Sequence, residues 1–70
     1  MVTFYNIKVS NGVLTALAFN EVTGTKESIT ANLDGTYHSS SDSLVVKATW
    51  SLVVEYENKG FPNEISVAWG

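Results

Sequence analysis

The chain has 70 residues and a formal net charge of −3, from four lysines, no arginine and seven carboxylates, and it contains no cysteine. One domain over residues 1–70 is expected, near the lower limit at which an uncrosslinked chain buries enough surface to fold; a hydrophobic content of 44% has to supply the stability through burial, association or both. The same figures exclude disulfides and thiolate metal sites, and they argue against nucleic acid and anionic membranes, whose binders need a basic face.

Val2–Ser10 and Val13–Asn20 read as two strands joined by Asn11-Gly12, a dipeptide suited to the two positive φ angles of a type I′ turn. With a two-residue loop, Val9 faces Leu14, Ile7 faces Ala16 and Tyr5 faces Ala18 on one apolar side. The other side pairs Lys8 with Thr15, Asn6 with Leu17 and Phe4 with Phe19. The second strand is therefore apolar on both faces, and one small core cannot cover both. Phe4, Leu17 and Phe19 are expected to meet a second layer or another subunit, which makes a homo-oligomer the expected state.

After a break at Val22–Thr25, Lys26–Leu33 reads as a third strand. Asp34-Gly35 is a second hairpin dipeptide and makes Thr36–Ser39 a short return strand, with His38 opposite Ala31. A serine-rich loop, Ser39–Ser43, follows.

Leu44–Tyr56 repeats at every second residue: Leu44, Val46, Ala48, Trp50, Leu52, Val54 and Tyr56 are apolar, which predicts a strand. Phe61–Trp69 carries the same period. A four-residue loop over Glu57–Gly60 would set Tyr56 opposite Phe61, Leu52 opposite Ile65 and Trp50 opposite Val67. Fully extended, Leu44–Tyr56 would span about 43 Å, against a domain diameter of about 28 Å, so a bend or bulge is expected in it. The expected fold is all-β, an antiparallel meander of about six strands closed as a barrel or two-layer sandwich, with no helix.

Candidate chemistry is sparse. His38, near Asp34 and Asp42, is a candidate base for Ser39, Ser40 or Ser41 as nucleophile. Neighbours on one strand rarely converge on a reacting atom, however, and no oxyanion hole is evident. Glu55 and Glu57 on one strand face, with Glu64 across, have the residue types of a glycosidase pair, but six short strands enclose no deep cleft. They read instead as a solvated face that discourages edge-to-edge aggregation. No catalytic residue, metal or cofactor is expected.

The aromatics point to binding. Trp69 and Tyr37, with the amides of Asn32 and Asn63, offer the stacking surface and hydrogen bonds that sugars require. The expected function is a non-enzymatic, lectin-like carbohydrate-binding module. The alternatives are a protein-binding module or inhibitor using a strand edge or acidic face, and a self-assembling structural subunit. No signal peptide and no glycosylation sequon are visible, so a cytoplasmic location is expected, with secretion of a processed chain as the alternative.

Overall fold

In the computed structural model, which describes residues 1–68, three long strands precede a helix and a short fourth strand. They are β1 (Val2–Ser10), β2 (Val13–Asn20), β3 (Thr25–Asn32), α1 (Ser43–Tyr56) and β4 (Ile65–Val67). The strands form one open antiparallel sheet in the order β3-β2-β1-β4. The helix α1 packs across one face.

This overturns the expected six-strand barrel or sandwich without a helix. Asp42 caps α1, its Oδ1 accepting the Leu44 N–H at 3.0 Å, which satisfies one of the amides a helix start leaves open. Coiled, the 14 residues of α1 occupy about 21 Å; extended, they would outrun the molecule, whose longest dimension is 31 Å. Val45, Ala48, Thr49, Leu52 and Val53 recur at helical spacing and are buried. The strand-like period arises because Val46, Trp50 and Val54 add apolar groups elsewhere on the helix. With so many β-branched residues, the segment carries both periods at once.

The neighbouring expectations change with it. Thr36–Ser39 is reduced to a single bridge, although the pair it makes, Ala31 with His38, is the one anticipated. The last strand is only Ile65–Val67. It pairs with β1, setting Val67 opposite Val2 and Ile65 opposite Phe4, so the expected hairpin with residues 44–56 does not form. Between helix and strand the chain turns at Gly60, whose φ is +88° and whose N–H donates to the Tyr56 carbonyl at 3.0 Å.

The first hairpin is built as its turn dipeptide implies, with positive φ at Asn11 and Gly12 and with Val9 opposite Leu14. Beyond Lys8 a β-bulge resets the register. Asn6 adopts φ +53°, a left-handed conformation that Asn tolerates better than most residues. Tyr5 then lies opposite Leu17, Phe4 opposite Ala18 and Thr3 opposite Phe19, replacing the Tyr5–Ala18 and Phe4–Phe19 pairs. A slip of one residue moves side chains to the other face. Phe4 therefore enters the core and Tyr5 leaves it. The Ile7 amide within the bulge finds the Asn63 carbonyl at 2.9 Å.

The core lies between sheet and helix. Val2, Phe4 and Ile7 of β1, Leu14, Ala16 and Ala18 of β2 and Ile29 of β3 meet Val45, Ala48, Leu52 and Val53 of α1. Among the described residues no helix is long and apolar enough to cross a membrane.

Candidate functional site

Among the described residues no helix or strand packs on the face of the sheet turned away from α1. Strand pairing arranges it in rows. Ser66, Thr3, Phe19 and Lys26 lie side by side across the four strands; next come Tyr5, Leu17 and Ser28; then Lys8, Thr15 and Thr30. Tyr5, Leu17 and Phe19 are half-buried by their neighbours alone, and together they make one apolar patch at the centre of the face. The Lys26 ammonium sits 5.7 Å from the centroid of the Phe19 ring, a favourable cation–π distance.

Charge is unevenly divided between the two sides. Two of the four lysines, Lys8 and Lys26, border the open face. At its rim Glu21 is engaged, its Oε2 accepting from Thr3 Oγ1 at 2.7 Å; Thr3 Oγ1 also lies 2.8 Å from Ser66 Oγ. Glu27, Asp42, Glu55 and Glu57 belong to the helix side. In a chain of net charge −3, Lys8 and Lys26 thus border an apolar-centred sheet face.

The residues expected to bind a sugar do not converge. Tyr37 is 52% exposed beside Asn32, whose N–H donates to the Tyr37 carbonyl at 3.0 Å and whose Nδ2 donates to Thr36 Oγ1 at 2.9 Å. Asn63 sits beyond β1, about three strand spacings or roughly 14 Å from β3. Trp69 lies outside the described residues. The three residues expected to associate are divided too. Phe4 is fully buried under α1, while Leu17 and Phe19 are on the open face.

The serine loop and His38 are committed to structure. The two imidazole nitrogens engage Thr49 Oγ1 at 2.9 Å and the Ser40 N–H at 3.0 Å, so neither is aimed at a serine hydroxyl. Ser40 Oγ donates to Glu27 Oε2 at 2.8 Å and accepts the Asp42 N–H at 3.0 Å. Asp34 is bound to its own turn through Thr36, whose hydroxyl and amide bonds hold its carboxyl below the usual range. Glu55 lies within α1 and Glu57 caps its end, so they do not share a strand face; Glu55 pairs with Lys59 at 3.3 Å. Among the described residues no three His, Cys, Asp or Glu side chains cluster to hold a metal.

Leu17 and Phe19, expected for self-association, lie on this face, and the bulge adds Tyr5, which the sequence reading placed on the other side. The one available signal was Asn6, a residue tolerant of positive φ inside an otherwise regular strand. No family model matches the chain, and no curated protein or solved structure matches it.

Proposed function

We propose that the protein is a non-enzymatic interaction module whose open sheet face binds a protein segment with an apolar anchor and acidic flanks. The observation that carries this is the Tyr5–Leu17–Phe19 patch, left uncovered on a sheet whose other face is sealed by α1, and bordered by Lys8 and Lys26. Burying such a patch is worth about 25 cal/mol per Å² of apolar surface. The hydroxyls of Thr15, Ser28 and Thr30 supply a hydrogen-bonding rim of the kind interfaces use, and the lysines favour an acidic partner. A cysteine-free chain suits a reducing compartment, and the cytoplasm is the location assigned under this reading.

The test is an NMR titration with designed peptides that carry Leu or Phe anchors between glutamates, with lysine-flanked versions as controls. Amide shifts confined to the outer residues of β1, β2 and β3, seen with the acidic peptides alone, are expected. Shifts concentrated on α1, or no response to either set, would defeat the proposal.

Carbohydrate binding keeps narrower support as a second reading. The exposed Tyr37 ring, with Asn32 and Thr36 beside it, offers one stacking platform and nearby polar groups. Saturable thermal stabilisation by a simple sugar, lost in Tyr37→Ala, is its expected signature.

A further inference from the structure

We infer that the outer face of α1 is a homodimer interface, on which a second copy of the chain lays its own α1 antiparallel, crossing near Ser51. Lys47, Trp50, Ser51, Val54 and Glu55 form this face and line a shallow depression of about 480 Å³. They recur at i, i+3, i+4, i+7 and i+8, away from the residues that hold the helix to the sheet. Val54 is 78% exposed. Trp50 is half-buried, packing edge-on against His38 with ring centroids 5.5 Å apart and resting in part against the core cluster. Val54 takes no part in the buried stripe that holds α1 to the sheet and adds an apolar group to this outer face.

The order of charges selects the occupant. In a two-fold interface residue i meets j while j meets i. Lys47 and Glu55 each lie four residues from Ser51, about 6 Å along the axis in opposite directions. An antiparallel pair of helices therefore sets Lys47 against Glu55 of the partner subunit, twice over. A parallel pair would set lysine on lysine and glutamate on glutamate. Ser51 is small enough at the crossing for helices to approach to about 8–10 Å, and Trp50 and Val54 fill the space between the charged pairs. The existing contact of Glu55 with Lys59 is made through Oε1 between side chains that are both 61% exposed; such a pair holds weakly and yields readily to sharing.

A helix face about 21 Å long and 10 Å wide is small beside a standard interface, so the dimer is expected to be weak and reversible. It leaves both Tyr5–Leu17–Phe19 patches facing outward, one on each side of the assembly. The inference stands apart from whatever those patches bind.

Sedimentation equilibrium of the full chain from about 10 µM to about 1 mM reads this directly, with far-ultraviolet dichroism to confirm that each variant is folded. The native chain should show a monomer–dimer equilibrium. Val54→Asp and Lys47→Glu should each weaken it by roughly tenfold or more. The double variant Lys47→Glu/Glu55→Lys should restore it to near the native value, because the swap recreates both pairs. A monomer throughout the range overturns the inference. So does association that ignores Val54→Asp and Lys47→Glu, association abolished instead by Leu17→Lys on the sheet face, or a double variant no tighter than Lys47→Glu alone.

Discussion

Nε2 of His38 lies 2.9 Å from Oγ1 of Thr49, joining the segment that leaves β3 to the buried side of α1. Thr49 gives its one hydroxyl proton to the Val45 carbonyl at 2.7 Å, so the imidazole must be the donor in the bond they share. Nδ1 in turn accepts the Ser40 N–H. The ring is held neutral, protonated at Nε2, and a second proton on Nδ1 would confront an amide hydrogen.

A pH dependence follows from this arrangement. Burial lowers the pKa of His38 below its usual 6.5, while the carboxylate of Glu27 pulls the other way. The unfolded chain then takes up the proton first. The stability His38 contributes is complete above a pH of about 6.5 and declines as pH falls toward and through the lower folded value. Thermal melts should be flat above a pH of about 7 and fall once the pH drops below about 6.5. His38→Gln keeps a donor for Thr49 and should remove that drop. A variant with an unchanged slope would show that the titration lies elsewhere.

Asn20 and Asp42 form the second tie between sheet and helix. Asn20 is 2% exposed; its Oδ1 accepts the Val22 N–H at 2.9 Å, and its Nδ2 donates to Asp42 Oδ2, also at 2.9 Å. The bond from Asn20 lowers the Asp42 pKa against the opposing effect of burial, helped by the Leu44 and Val45 amides. Its stabilising contribution is therefore present above the usual 3.8 and is lost as pH falls through the folded value. Asp42→Ala removes the cap and strands a buried amide, and should cost about 2–3 kcal/mol in urea denaturation. Asn20→Ala and Asp42→Ala should combine to less than the sum of their separate costs, because each removes the same bond. Strict additivity would mean that the two side chains do not act together.

Much of the sheet was legible because its determinants are local. Asn11-Gly12 carries its turn in two residues, and period-two alternation placed β1 and β2 and most of β3. The helix was not legible by the same rule. Val46, Trp50 and Val54 overlay a strand-like period on the helical one, and only Asp42, behind a run of serines, marked a helix start. The residues that concealed α1 include Trp50 and Val54, which place apolar groups outside its buried stripe. The partner of β4 depends on a contact between the two ends of the chain, which no local pattern reports. At the candidate site, Phe4 and Tyr5 exchanged faces through a single bulge residue.

That bulge can be tested at Asn6. Glycine adopts φ near +53° without the clash that a Cβ suffers, so Asn6→Gly should leave stability unchanged or raise it slightly. Asn6→Val places a β-branched side chain in the left-handed region and should cost about 1–2 kcal/mol. Urea midpoints of the two variants against the native chain decide the matter. A neutral Asn6→Val would indicate a regular strand, with Phe4 and Tyr5 on the faces that alternation alone assigns.

Phe4 and Phe19 provide the sharpest comparison, since they lie on adjacent strands and point to opposite faces. Phe4 is wholly buried against the helix, and Phe4→Ala should cost about 3–5 kcal/mol. That is a large part of the roughly 4–10 kcal/mol available to a domain of this size, so the variant should be substantially unfolded near its working temperature. Phe19 lies beside Lys26 in its row on the outer face and is only partly buried. Phe19→Ala should cost about 1 kcal/mol, in line with partial burial, and leave the dichroism spectrum unchanged. Denaturation curves for both variants are measured in dilute solution, where association is weakest. If Phe19→Ala proves as damaging there as Phe4→Ala, that face is covered in the folded molecule. The Tyr5–Leu17–Phe19 patch would then be core, and no partner would be needed to explain it.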